Sequence, residues 1–129
     1  MPDTKQITPS TGIAPFQRTD DFVEGYANNL RFEPTVYDLK IIFGETDQSS
    51  GTETTQQHTA ITLPWALVKL ALFFLEVNVA IHELVNGKIM IPPNQIPAPP
   101  NPIFPENDPN AAKAFEIVEK IREDFLSRL

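Results

Sequence analysis

Large apolar residues are sparse up to position 22, alternate with polar ones from 24 to 43 and again from 55 to 63, then run almost unbroken from 64 to 86. In the first alternating stretch, Tyr26, Asn28, Leu30 and Phe32 oppose Ala27, Asn29, Arg31 and Glu33, the period of two that predicts a half-buried strand. Pro34 and Thr35 interrupt it. Tyr37, Leu39, Ile41 and Phe43 then share one face against Asp38 and Lys40, which predicts a second strand. Gly44 to Thr54 holds no large apolar residue and predicts a hairpin connection. Thr59, Ile61 and Leu63 line one face of a third strand. It ends at Pro64, a residue that also suits the first turn of a helix, where its missing N–H is not needed.

The run from 64 to 86 predicts a long helix of an unusual kind. At about 100° per residue, Lys69, Glu76 and Glu83 fall on one narrow strip, with Asn78 and His82 roughly opposite. Between them stand Trp65, Leu67, Val68, Leu70, Leu72, Phe73, Phe74, Leu75, Val77, Val79, Ile81, Leu84 and Val85. A helix covering one sheet needs one apolar stripe; a helix apolar all round is buried on several sides. The ordered-looking part of the chain, residues 23 to 90, is too small to surround it. A homodimer or higher oligomer is therefore expected, formed through Trp65, Val68, Leu72, Phe74, Leu75 and Val79. Glu76 and Glu83 either form a solvated stripe with Lys69 or pair with Lys69 of another subunit and fix the register, as charged flanks do in coiled coils. Asn86-Gly87 marks the C-cap, and the short run Lys88 to Ile91 is expected to add a small strand or cover an edge.

Eight of the eighteen residues from Pro92 to Pro109 are proline, which favours an extended polyproline conformation reaching roughly 50 Å. Asp108 offers an N-cap and Pro109 a first helical residue for a tail helix. Ala111, Ala114, Phe115, Val118, Phe125 and Leu129 form its apolar stripe, with Ile121 and Leu126 at the margins. This helix is amphipathic and should dock by one face, through Phe115, Val118, Phe125 and Leu129, onto a further protein. The expected organisation is a flexible arm (1–22), an oligomerising sheet-plus-helix domain (23–91), a proline-rich linker (92–108) and a docking helix (109–129). The fold class is α+β: a three- to four-stranded antiparallel meander packed on one long helix.

Composition narrows the function classes. The 129 residues carry 17 acidic and 10 basic side chains, a net charge of −7 spread along the chain. No basic stripe exists to neutralise phosphates, so neither nucleic acid nor an anionic membrane is an expected partner. There is no cysteine, hence no disulfide framework, thiolate zinc site or thiol nucleophile. The segment MPDTKQITPSTGIAPFQ has no apolar core after a basic start, so a secretory signal is not expected and the cytoplasm is the expected location. Residues 64 to 86 match the length of a membrane span, roughly 20 residues. Lys69, Glu76 and Glu83 interrupt them at about 2.5–3.5 kcal/mol per central charge, so a span is not expected.

Candidate chemistry is thin. The glycines at 12, 25, 44, 51 and 87 form no phosphate-binding loop. His58 reads as a solvated residue on the polar face of the third strand, and His82 as a buried, hydrogen-bonded histidine at a subunit contact. The position three after Glu76 is Val79, so the Glu-x-x-His element of a helical di-metal site is missing. Phe73 and Phe74 read as packing residues for two different neighbours. No catalytic residue, metal ligand or cofactor is expected, and the chain is not expected to be an enzyme.

Three motifs carry a resemblance. Tyr26-Ala27-Asn28 opens the first strand, Ile42-Phe43-Gly44 closes the second, and Leu63-Pro64 precedes the apolar helix. Across residues 24 to 86, about half the chain, this resembles a family of small prokaryotic proteins known only as a domain of unknown function. Its members typically carry His-Ala after the proline where this chain has Trp65-Ala66, and the proline-rich segment and tail helix are not part of the pattern. The family supplies no catalytic residues to carry over. YANNLRFEPT is also similar to the first strand of the SecB export chaperone, another small acidic protein whose antiparallel strands precede a long helix. The SecB likeness implies helices buried between subunits and grooves for unfolded clients. The expected function is a non-enzymatic oligomeric scaffold or adaptor, which self-associates through the apolar helix and docks a partner through its tail. The alternative is a SecB-like holdase.

Overall fold

Alternation becomes pairing in three strands. A computed structural model describes residues 15–47, 53–102 and 107–129; the expectations for residues 1–14, 48–52 and 103–106 lie outside them. The element order is β1 (Asn29–Pro34), β2 (Asp38–Asp47), β3 (Thr54–Pro64), α1 (Trp65–Asn86), a short 3-10 turn (Pro93–Gln95) and α2 (Ala111–Ser127). The fold is α+β, a three-stranded antiparallel sheet of order β1-β2-β3 with one long and one C-terminal helix. By contact the chain divides into two units, Met1–Pro64 and Trp65–Leu129.

In the first unit, β2 is central. Phe32 stands opposite Ile41 and Leu30 opposite Phe43, while on the other side Ile61 faces Ile41 and Leu63 faces Leu39. Because side chains alternate along a strand, these six share one face with Leu39. Glu33, Lys40 and Thr62 stand side by side on the other face. Leu39 is the one buried hydrophobic residue among those described, at 8% exposure. Leu30, Phe32 and Ile61 remain about half exposed. Tyr37, expected on the apolar face, lies in the β1–β2 turn instead and is exposed. That turn is organised by Thr35, whose hydroxyl donates to the Asp38 carboxylate (2.8 Å) and accepts the amides of Tyr37 and Asp38 (3.1 Å each).

Two features of the sheet escape the simple alternation. β1 begins at Asn29 rather than near Tyr26, and the Asn28 side chain takes over the pairing there. Its Oδ1 accepts the Thr46 amide at 2.7 Å, its Nδ2 donates to the Thr46 carbonyl at 3.3 Å, and its own N–H reaches the Gly44 carbonyl. One asparagine thus does for Thr46 what a strand backbone would. The second feature is a bulge. Phe43 pairs with Thr59 but Gly44 with Gln57, so His58 is an extra residue in β3. Gly44 is buried at this irregularity, and a Cβ there would lie 2.8 Å from the Gln56 carbonyl oxygen. The close approach of the two backbones is what glycine permits.

Pro64 closes β3, opposite Asp38, at the end of the first unit, and α1 opens the second at Trp65, one residue later than the run of apolar positions suggests. α1 ends where Asn86-Gly87 marks it: Gly87 has φ +89°, and its amide donates to the Glu83 carbonyl. Residues 88–91 form no strand. The Glu83 carboxylate accepts the Ile89 amide at 2.9 Å, which turns this segment back on the helix end. At the tail, Asp108 does not cap α2 from Pro109. Its carboxylate is used by the Asn110 amide (2.9 Å), its carbonyl accepts the Ala111 amide, and the helix starts at Ala111. Asn110 occupies the cap position without a side-chain hydrogen bond.

Candidate interaction surfaces

The surface of α1 is dominated by apolar side chains on every side. Twelve large ones, from Trp65 to Val85, are exposed, and no residue of the helix is buried. The six residues expected to form an oligomer interface all lie on it. Trp65, Leu72, Phe74, Leu75 and Val79 are exposed, Val68 half-buried. Phe73 and Phe74, expected to serve different neighbours, touch each other edge to face, with ring centroids 5.2 Å apart.

Helical geometry sorts these residues into two seams. Trp65, Val68, Leu72, Leu75 and Val79 follow one another at spacings of three and four; so do Leu67, Leu70, Phe74, Val77, Ile81 and Leu84. Each is the 3.5-residue repeat that keeps one stripe facing a neighbouring helix, and at about 100° per residue they lie on nearly opposite sides. Five of the six expected interface residues belong to the first seam, while Phe74 belongs to the second. Lys69, Glu76 and Glu83 border the first seam only. Ala71 and Asn78 lie on its other border, and Asn78 Nδ2 donates to the Phe74 carbonyl at 2.7 Å. His82, expected to be buried, is exposed in the described structure and associated with Asn86: Asn86 Nδ2 lies 3.3 Å from both His82 Nδ1 and the His82 carbonyl.

α1 is the one helix among the described residues long and apolar enough to cross a membrane. Lys69 in its second turn and Glu76 near its midpoint set it against that role, at about 2.5–3.5 kcal/mol per central charge. A soluble chain is compatible with this surface.

The tail is held differently from a free tether. Arg122 Nε donates to the Pro97 carbonyl at 2.9 Å, tying the proline-rich segment to α2. Ile96 and Pro100, either side of the acceptor, are half-buried, as are Ala111, Phe115, Arg122, Phe125 and Leu126 on α2. Of the four residues expected to dock a partner, Phe115 and Phe125 therefore lie on the partly covered side, while Val118 and Leu129 are exposed. The open apolar strip runs through Ala114, Ile117, Val118 and Ile121. Sequence reasoning passed over Arg122. Its signal was a charge seven residues after Phe115, in the middle of the apolar stripe.

His58 carries no catalytic geometry. Its Nε2 lies 2.8 Å from the Tyr26 carbonyl and must donate to it; its Nδ1 lies 2.8 Å from Thr59 Oγ1. Both ring nitrogens are thus engaged in joining β3 to the segment that leads into β1. The described residues hold no group of three or more His, Cys, Asp or Glu arranged to bind a metal ion. No protein-family model, curated protein or solved structure matches this chain.

Proposed function

We propose that this protein is a non-enzymatic scaffold or adaptor that self-associates through α1 and presents α2 to a second protein. The observation that carries the reading is the exposure of large apolar side chains around the whole of α1. Burial of such a side chain contributes about 1.5–3 kcal/mol, and soluble monomers rarely leave contiguous apolar patches beyond a few hundred Å² open. Twelve exposed side chains on one helix are the composition of an interface, and α1 has two seams with which to form one. α2, fastened to the proline-rich segment at Arg122, keeps a second, smaller apolar strip for a different protein. The location in this reading is the cytoplasm, where a cysteine-free acidic chain needs no oxidative maturation. Sedimentation equilibrium on the purified protein tests it: a stable monomer at tens of micromolar sinks the scaffold reading.

A SecB-like holdase is the second reading, and the half-exposed sheet face of Leu30, Phe32 and Ile61 favours it. The two separate in one assay. A holdase suppresses aggregation of several unrelated denatured clients; an adaptor does not, and instead retains one defined protein through its tail.

A further inference from the structure

We infer that the partner of the Trp65–Val79 seam is α1 of a second copy of this chain, packed antiparallel with the twofold axis between Phe73 and Phe74. This rests on the self-association reading and adds its orientation and register. In heptad terms Trp65, Leu72 and Val79 occupy a positions, Val68, Leu75 and His82 d positions, and Lys69, Glu76 and Glu83 the flanking e positions. The opposite flank, at g, holds Ala71, Asn78 and Val85 and no charge. Flanking charges decide orientation. In a parallel pair, e residues meet g residues, and Lys69 and the two glutamates would find no ionic partner. In an antiparallel pair, e residues meet e residues, and the single lysine meets a glutamate.

Two antiparallel registers differ by one heptad, and the structure separates them. With the axis between Phe73 and Phe74, Leu72 packs on Leu75 of the second copy, Val68 on Val79 and Trp65 on His82. Lys69 then lies beside Glu76 of the second copy, twice by symmetry. The overlap runs from 65 to 82, about 27 Å at 1.5 Å per residue. With the axis at Val77 instead, Lys69 would meet Glu83, but Glu76 would face its own copy across the axis. Val68 would then pack on Asn86 and Leu72 on His82, which adds Asn86 to the seam and moves His82 inward from its end. Glu83 also has a task inside its own chain, since its half-buried carboxylate holds the Ile89 amide at 2.9 Å. Lys69 and Glu76 are both exposed and carry no such bond in the described structure.

Charge reversal tests the register. K69E and E76K each place two like-charged pairs across the axis and should weaken self-association about tenfold at low salt, an effect that shrinks in high salt. The double variant K69E/E76K restores both pairs and should return to within about threefold of the original. A mixture of the two single variants should form heterodimers in preference to either homodimer. Orientation has its own measurement, because the chain contains no cysteine. A spin label on V85C, exposed and still within α1, should report an intermolecular distance of about 35 Å, from twice the separation of residue 85 from the axis at about 1.5 Å per residue. A distance under about 20 Å means parallel helices and overturns the proposal. Rescue by K69E/E83K in place of K69E/E76K overturns the register. Monomeric protein at micromolar concentration overturns the self-association reading beneath both.

Discussion

Substituting Gly44 by alanine puts one methyl group where β2 and β3 approach most closely. The new Cβ would meet the Gln56 carbonyl oxygen at 2.8 Å, the Gln56 carbonyl carbon at 3.4 Å and Thr55 Cγ2 at 3.3 Å. Ordinary contact begins near 3.4 Å, so the carbonyl has to retreat by about 0.6 Å, and it is backbone rather than the end of a flexible side chain. Gln56 pairs with Glu45 beside the bulge, and Gly44 accepts the Asn28 amide on its other side. A shift of either strand therefore lengthens ladder hydrogen bonds on both flanks of β2. Overpacking of this kind costs about 1–3 kcal/mol, or a fall in Tm of about 4 °C per kcal/mol for a chain of this size. The internal control is Gly25→Ala, whose Cβ would meet only His58 Cε1 at 3.9 Å, an ordinary contact. It should stay within about 0.5 kcal/mol of the original. Urea unfolding followed by far-UV circular dichroism measures both. Equal midpoints for the two variants would refute the close approach at Gly44, and with it the pairing of Gly44 with Gln57.

Asn28→Ala removes both side-chain bonds to Thr46 and should cost about 1–2 kcal/mol in the same unfolding assay, whereas Tyr37→Ala, in the exposed turn, should cost less than about 0.5 kcal/mol. Leu75→Glu places a charge in the Trp65–Val79 seam, and size-exclusion chromatography with light scattering should show loss of the oligomer, whereas Phe74→Glu, on the opposite seam, should keep it; unchanged mass for Leu75→Glu would remove that seam as the assembly surface. Deleting residues 92–129 takes away the Pro97–Arg122 bond together with both its partners, so the remainder should keep its sheet signal and its oligomer while losing the retained partner in a pull-down. Unfolding of the truncated chain would place the tail in the core. Gly87→Ala, at φ +89°, should cost about 1 kcal/mol through backbone strain.

The central strand and the long helix were legible because their signals are redundant. Leu39, Ile41 and Phe43 mark one face of β2 without contradiction, and Gly87 ends α1 where only glycine is at ease. The limits were harder wherever a side chain replaces backbone. Asn28 continues the pairing with Thr46 by its amide group, so the alternation from Tyr26 onward looks like strand before strand begins. Asp108 has the composition of a helix cap, yet its carboxylate serves the Asn110 amide and the helix waits until Ala111. The bulge at His58 left no trace in the pattern, because TTQQHT contains no apolar residue whose face could be seen to change. The paired seams of α1 were hidden for the opposite reason. Each fills the gaps of the other, so a helix with two distinct stripes reads as one that is uniformly apolar.

The bulge also bears on colloidal behaviour. β3 is an edge strand of eleven residues, long enough to template a neighbouring molecule edge to edge, which is the usual opening step of fibril growth. The extra residue at position 58 bends and twists such a strand, and Pro64 withholds a donor at its end. The straight run left between them, Thr59 to Leu63, is five residues. A deletion that restored regular pairing by removing His58 would leave a continuous edge of nine residues, rich in threonine and glutamine and free of charge from Thr54 to Leu63. The extra residue thus shortens the regular stretch of edge that a second sheet could pair with.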